Sequence, residues 1–161
     1  GREALKREGN TMAVTDADGE RSIADWARGR AIDLPQLNLV NGSGLAREAR
    51  VTAAGLANLL RYAWQSPVMP EFMASLPVAA VDGTLRKRGL GSAMAGRTHL
   101  KTGSLDAVKT LAGYVLDRQG RRWLVVFLVN HANAGAAQGA MDALLLALVE
   151  GGQELDDSIR R

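Results

Sequence analysis

Cysteine is absent from the 161 residues, so the chain contains neither a disulfide nor a cysteine-based zinc site. Its two histidines, His99 and His131, are too few for a histidine-rich metal centre. No run approaches the roughly 18 consecutive apolar residues that a membrane-spanning helix needs. We therefore expect no transmembrane segment in this sequence.

A strong excess of charge is also lacking. Lys and Arg together number 20 against 17 for Asp and Glu, which gives a formal net charge of +3. The basic residues are scattered rather than arranged in a stripe with aromatic residues, so nucleic acid is not indicated as a partner. The one dense basic run, Arg86-Lys87-Arg88, is interpreted as a solvated loop.

What is present suits one globular domain. Hydrophobic residues make up 47% of the chain and charged residues 23%, which is ordinary for a domain of this length. We expect a poorly ordered lead-in over residues 1–19, a domain over residues 20–150 and a charged tail over residues 151–161. Because the chain begins with Gly1 and has no signal peptide, we expect a piece of a longer protein.

The first half of the chain is predicted to be mainly helical. A short helix is expected over Ser22–Arg28, after a turn at Asp16–Gly19. An extended segment over Ile32–Val40 then leads to Gly42-Ser43-Gly44-Leu45. Ala53–Gln65 has apolar residues at helical spacing and follows Thr52, a favourable N-cap.

The second half has the pattern of a strand meander followed by a helix. Alternating or apolar runs predict strands over Thr98–Thr102, Thr110–Leu116 and Trp123–Val129, with a turn at Gly103–Asp106. The third strand is apolar throughout, which favours a central position in the sheet. Ala136–Val149 predicts a long helix. The fold class is therefore α+β, with helices first and then an antiparallel sheet covered by a C-terminal helix.

Two stretches carry a family resemblance. They are Val40-Asn41-Gly42-Ser43-Gly44-Leu45, and Leu100-Lys101-Thr102-Gly103-Ser104-Leu105-Asp106 followed by Leu111-Ala112-Gly113-Tyr114-Val115. In this order they resemble the C-terminal part of the serine D-Ala-D-Ala carboxypeptidases and endopeptidases. These form the class C low-molecular-mass penicillin-binding proteins, peptidase family S13. The resemblance implies a partial β-lactamase/transpeptidase-like domain.

The resemblance also implies roles for the Lys-Thr-Gly strand. The Lys101 ammonium and the Thr102 hydroxyl would bind the terminal carboxylate of a peptide or a penicillin. Gly103 would let the substrate strand lie against the sheet edge, and the backbone N–H of Ser104 would be an oxyanion donor. The partners implied are peptidoglycan stem peptides and β-lactams, in the periplasm, with no metal or organic cofactor.

Ser43 is the remaining catalytic candidate. The family's second motif, Ser-x-Asn, passes protons near the nucleophile and lies in or just after a stretch that usually reads Asp/Asn-Gly-Ser-Gly-Leu-Ser. Here Ala46 stands at the last serine and Glu48 where a following Asn would stand. If Ser43 carries the motif's hydroxyl, the hydroxyl is retained; if the position of Ala46 carries it, the hydroxyl is lost. Both alternatives remain open.

The family's nucleophile motif is missing from the sequence. It reads Ser-x-x-Lys, and no serine here has a lysine three positions later. We expect that motif in an upstream part of the same protein, and no acyl-enzyme on this chain alone. The alternative is a degenerate, non-catalytic domain that binds peptidoglycan peptides or a partner.

Overall fold

A computed structural model describes residues 15–40 and 42–151. Most of the predicted lead-in, residues 1–14, and most of the predicted tail, residues 152–161, lie outside the described residues. So does Asn41 of the Val40–Leu45 stretch. The chain forms two compact units, Gly1–Tyr62 and Ala63–Arg161.

In the first unit, helix α1 spans Asp16–Arg28, so the predicted turn at Asp16–Gly19 and the helix start at Ser22 were wrong. The reason is a capping box. The Thr15 side chain accepts a hydrogen bond from the Asp18 N–H at 3.2 Å, and the Asp18 carboxylate accepts one from the Thr15 N–H at 2.9 Å. The Thr15 hydroxyl also donates to the Asp18 carboxylate at 2.7 Å, and this bond, the Thr15 N–H and Arg21 hold the pKa of Asp18 at about 2.

The segment after α1 is less extended than predicted. It forms one isolated antiparallel bridge, between Asn38 and Arg50, because Gln36 and Val40 adopt positive φ angles of 58° and 57°. Helix α2 then spans Ala53–Gln65, as predicted, and crosses the boundary between the units. The Thr52 hydroxyl accepts a hydrogen bond from the Gly55 N–H at 3.0 Å, which confirms the predicted cap.

The second unit contains the sheet. Helix α3 spans Met69–Ala74, and a 3₁₀ turn spans Gly83–Leu85. Strands β1, β2 and β3 span Thr98–Leu105, Val108–Leu116 and Arg122–Asn130. A second 3₁₀ turn at Ala134–Ala136 leads into helix α4, which spans Ala137–Val149. The predicted α+β class, with an antiparallel sheet and a helix after it, is confirmed.

The sheet order among the described residues is β1-β2-β3, so β2 is central and the prediction of a central third strand was wrong. Side chains of β3 are half-buried on both faces, and this accounts for its apolar sequence. One of its edges nevertheless has no neighbouring strand in the described part of the chain. The predicted turn at Gly103–Asp106 was also wrong over Gly103–Leu105. Those residues pair with Val108–Thr110, and only Asp106 and Ala107 turn.

One face of the sheet packs against α4. Leu100, Leu111, Val115 and Val125 form a buried cluster with Met141, Leu145, Leu148 and Val149 of the helix. On the opposite face, the centroid of the Tyr114 ring lies 5.6 Å from that of the Trp64 ring and 6.5 Å from that of the Phe72 ring. Burial raises the pKa of the Tyr114 hydroxyl.

A buried carboxylate stabilises the turn between β2 and β3. Asp117 is fully buried and accepts hydrogen bonds from Arg121 Nε at 2.7 Å and Trp123 Nε1 at 3.0 Å. Burial raises the pKa of Asp117, but these hydrogen bonds and the Arg121 charge outweigh it and hold the pKa at about 2. The turn also reaches the end of α4, because the Arg118 N–H donates to the Val149 carbonyl.

Within residues 15–40 and 42–151, no helix is long and apolar enough to cross a membrane.

Candidate functional site

The site is built on the outer edge of β1. Ala79 N–H donates to Thr98 O at 3.2 Å and Leu100 N–H donates to Pro77 O at 2.9 Å, so even-numbered residues of β1 direct their main-chain groups outward. Main-chain direction alternates along a strand, and pairing with β2 continues without a bulge to Leu105. The N–H and C=O groups of Thr102 and Ser104 therefore point outward. Beyond Leu100, no described segment pairs with this edge.

Lys101 lies at this open edge. Its side chain is exposed, and its Nζ donates a hydrogen bond to the outward carbonyl of Thr102 at 2.8 Å. Side chains alternate between the two faces of a strand, so Lys101 lies on the face away from α4, whereas Thr102 and Ser104 lie on the α4 face with buried Leu100. Main-chain donors, a cation and two hydroxyls thus meet along a few residues of one edge.

Glycine is needed at position 103 because of its cross-strand neighbour Thr110, and not only because the edge of β1 is open. A Cβ at this position would lie 2.5 Å from Thr110 Oγ1 of β2, with which Gly103 is paired. A larger residue would have to displace the Thr110 side chain. The glycine that the sequence suggested for close substrate approach also lets β1 and β2 stay in register.

A cleft of about 270 Å³ lies beside the Lys-Thr-Gly residues. It is lined by residues of the loop at 84–88, by the ends of β1 and β2, and by the first turns of α4: Thr84, Leu85, Lys87, Arg88, Thr102, Gly103, Ser104, Lys109, Thr110, Gln138 and Met141. Thr84 Oγ1 and Thr102 Oγ1 are 3.1 Å apart, so one hydroxyl donates to the other and the acceptor keeps its own proton for a ligand.

The basic run was interpreted as a solvated loop, and this holds for Arg86 and Lys87 but not for Arg88. The Arg88 side chain is only 13% exposed, and its Nε donates to Asp142 Oδ1 of α4 at 2.5 Å. Sequence reasoning missed both this ion pair and the contribution of Thr84 and Lys109 to the cleft. Each depends on packing between segments far apart in the chain, which a local pattern does not contain.

Ser43 lies in the first unit, in an exposed turn where Gly42 and Gly44 have φ angles of 67° and 74°. Its Oγ accepts a hydrogen bond from the Leu45 N–H at 3.1 Å, and the Leu45 side chain is 86% exposed. Lys101 and Ser104 belong to the second unit. A role of Ser43 beside them therefore remains a prediction.

The histidines show no catalytic arrangement among the described residues. His99 pairs with Tyr114 in the sheet register, and its Nδ1 is buried without a partner in this part of the chain. His131 is exposed and accepts a hydrogen bond from the Asn133 N–H at 3.0 Å. Across residues 15–40 and 42–151, no three His, Cys, Asp or Glu side chains form a potential metal site.

Lys-Thr-Gly is one of the three motifs of the penicillin-recognising acyl-transferases, and here it lies on an open edge strand of an antiparallel sheet that packs against a C-terminal helix. Comparison with known proteins narrows this class. The profile of the D-Ala-D-Ala carboxypeptidase 3 (S13) family matches residues 5–148. The chain belongs to this family.

Similar proteins come from several bacteria. The chain is 38% identical to the D-alanyl-D-alanine carboxypeptidase of Actinomadura sp. (strain R39) over 134 residues, 80% of this chain and 24% of that protein. It is 34% identical to carboxypeptidase DacB of Mycolicibacterium smegmatis, over 91% of this chain and 33% of that protein.

A solved structure agrees with these comparisons. Penicillin-binding protein 4 (dacB) from Haemophilus influenzae, complexed with a β-lactam, superimposes with a TM-score of 0.65 at 27% identity, covering 73% of this chain and 28% of that one. The chain therefore spans about a quarter to a third of the length of these relatives.

Proposed function

We propose that this chain is the Lys-Thr-Gly part of a serine-type D-Ala-D-Ala carboxypeptidase or endopeptidase that acts on peptidoglycan stem peptides in the periplasm. The observation that carries the proposal is the open edge of β1, where Thr102 and Ser104 direct main-chain groups outward beside the Lys101 ammonium. A peptide in extended conformation can pair with such an edge as an added strand.

The edge suits the carboxylate end of a peptide. Lys101 supplies a positive charge, and the Thr84–Thr102 hydroxyl pair has one proton left for a carboxylate oxygen. The Ser104 N–H points out of the sheet and would donate to the oxygen of the carbonyl under attack as negative charge develops on it. Ser43 is proposed as the hydroxyl that relays a proton near the nucleophile.

The reaction proposed is acyl transfer in two steps. A serine Oγ bonds to the penultimate D-Ala carbonyl carbon, the bond to the nitrogen of the terminal D-Ala breaks, and the serine proton ends on that leaving amine. Water then attacks the ester, which restores the serine and releases the shortened peptide. The reaction with a penicillin would stop after the first step, because the leaving nitrogen of a penicillin stays attached to the acyl group.

The serine and its base are proposed to lie outside this sequence, in an upstream Ser-x-x-Lys motif. The short coverage of the relatives supports this. Residues 20–150 would then be the C-terminal part of a penicillin-binding domain, and this chain alone would not form an acyl-enzyme.

The test is intact mass after incubation with benzylpenicillin, on this chain and on the protein extended upstream in its reading frame. We expect an adduct on the extended protein only, and slower adduct formation in its Lys101→Gln variant. Arg86→Gln, which removes an exposed positive charge outside the edge, is the matched control and should react as the unchanged protein does. A folded extended protein that stays unmodified would refute the enzyme proposal.

A second candidate is a non-catalytic domain that binds stem peptides without cleaving them. Ala46, in place of the serine usual in the family's glycine-rich stretch, favours it. Peptide binding to the extended protein without acylation or cleavage is the result that this candidate predicts.

A further inference from the structure

Two Asp-Gly pairs occur in the chain, Asp18-Gly19 and Asp82-Gly83. In such a pair the main-chain nitrogen of the glycine can attack the side-chain carboxyl carbon of the aspartate, because glycine has no Cβ to obstruct the approach. The new N–C bond closes a succinimide ring, and one carboxyl oxygen leaves as water. When water then opens the ring at the main-chain carbonyl, the product is isoaspartate, an isomer in which the main chain runs through the side chain.

The setting of Asp82-Gly83 leaves the attacking nitrogen accessible. Both residues are exposed, and the Asp82 main chain is extended rather than helical, with φ −143° and ψ −179°. The Gly83 N–H donates no hydrogen bond within the described part of the chain, and the Asp82 side chain does not cap the 3₁₀ turn that follows. The nitrogen is therefore neither buried nor engaged in secondary structure.

The carboxyl group of Asp82 is polarised by a main-chain donor. Its Oδ1 accepts a hydrogen bond from the Val78 N–H at 2.7 Å. Such a donor stabilises the negative charge that develops on Oδ1 when the nitrogen attacks the carboxyl carbon, while the other oxygen leaves as water. The loop thus supplies an unengaged nucleophile and an activated carboxyl group on adjacent residues.

The pair Asp18-Gly19 has the same two residues in a protected setting. Gly19 is buried in α1, and its N–H donates to the Thr15 carbonyl at 3.2 Å. The Asp18 carboxylate belongs to the capping box, and its pKa of about 2 keeps it ionised, whereas succinimide formation needs the neutral acid. The first turn of α1 must therefore open before this pair can react.

We propose that Asp82-Gly83 is a site of spontaneous isoaspartate formation in the folded chain. The fold does not easily dispense with the glycine that makes it reactive. Gly83 has a φ of 49°, and a Cβ there would lie 3.1 Å from side-chain atoms of Pro77. The proposal is independent of the proposed function, since it concerns the chemistry of the loop alone.

The modification would change the turn that follows. Isoaspartate lengthens the main chain by a methylene group, and the Asp82 carbonyl, which accepts the Leu85 N–H at 3.2 Å, becomes a free carboxylate. Leu85 is 1% exposed, and the neighbouring Thr84 hydroxyl lies 3.1 Å from that of Thr102. Conversion should therefore loosen the turn between the buried Leu85 and the Thr84–Thr102 pair.

The test is incubation of this chain at neutral pH over several weeks, followed by tryptic peptide mapping. The two pairs fall in different tryptic peptides. Isoaspartate gives a second peak of unchanged mass that an Asp-specific endoproteinase does not cleave at the modified position. We expect Asp82 to convert about 10-fold faster than Asp18, because opening of a capped helix turn is disfavoured by about that factor.

Two controls accompany the measurement. In urea, where the helix and the loop are unfolded, the two pairs should convert at similar rates. Asp82→Glu should remove the second peak, because glutamate would have to close a larger and slower-forming ring. Deamidation at Asn41-Gly42 is not counted, since it raises the peptide mass and falls in another tryptic peptide.

The remaining results would overturn the proposal. Equal rates at Asp82 and Asp18 in the folded chain would show that the loop does not promote the reaction. Conversion of Asp82 in urea but not in the folded chain would show that the loop protects it. A second peak that persists in Asp82→Glu would place the modification elsewhere in the same peptide.

Discussion

Gly113→Ala should strongly destabilise the sheet. Gly113 lies in the central strand, opposite Leu100, with a φ of 150° that side-chain-bearing residues rarely adopt. A Cβ there would collide with the His99 carbonyl oxygen and lie 3.1 Å from the Leu100 Cα, both in the main chain of β1. Neither atom can move without separating the two strands.

The expected size follows from two terms. Forcing a non-glycine residue into that backbone region costs about 1–3 kcal/mol, and overpacking costs about 1–3 kcal/mol more. We expect a loss of about 4 kcal/mol. With a urea dependence of about 2 kcal/mol per molar for a domain of this size, the unfolding midpoint should fall by about 2 M.

The assay is urea unfolding followed by the fluorescence of Trp64 and Trp123. Gly139→Ala is the matched control, because a Cβ at Gly139 of α4 meets no atom within 4 Å and alanine is the better helix former. Its midpoint should stay the same or rise slightly. A Gly113→Ala midpoint within about 0.5 M of the unchanged chain would refute the steric reasoning.

Three further predictions concern the same unit. As pH falls from 4 towards 2, the melting temperature should drop more steeply for the unchanged chain than for Asp117→Asn. The pKa of Asp117 in the folded protein, about 2, is below its ordinary value of 3.8. The stabilisation from its ionisation is therefore complete above pH 3.8 and is lost as the pH falls towards 2. A parallel pH dependence would contradict this. Gly103→Ala should lower the melting temperature, and adding Thr110→Ala should recover part of the loss. The second change removes the obstructing Oγ1 and leaves the Cβ of residue 110 at 3.8 Å from the new Cβ. No recovery would show that Oγ1 is not the obstacle. Leu145→Ala, at a side chain that is 1% exposed, should cost about 3 kcal/mol in urea unfolding, and a cost below about 1 kcal/mol would mean that α4 is not packed as described.

The elements of the second half were largely predictable, since their signals are local. Ala136–Val149 and the three strands differ from the observed bounds by a few residues. The turn after Thr102 was wrong because Gly103 and Ser104 are typical turn residues, and only pairing with Thr110 and Lys109 keeps them in the strand. The α1 start was missed although Thr15-Asp16-Ala17-Asp18 has the spacing of a capping box.

The site was predictable only where its functional residues are consecutive in the sequence. Lys101, Thr102 and Gly103 form a motif, and the alternation of a strand then assigns their faces and main-chain directions. The Arg88–Asp142 pair joins residues that lie 54 positions apart, and the Thr84–Thr102 pair joins residues 18 positions apart. No local pattern distinguishes Arg88 from its exposed neighbours, so the cleft had no signal in the sequence.

The one-sided pairing of β1 has a consequence for amide hydrogen exchange. The N–H groups of Lys101 and Gly103 point towards β2 and should exchange only when the hairpin opens, whereas those of Thr102 and Ser104 point outward and should exchange rapidly with solvent. One strand would thus show alternating fast and slow amides. A peptide bound at the edge would slow the fast ones, so the Ser104 amide reports occupancy of the edge even where no covalent chemistry takes place.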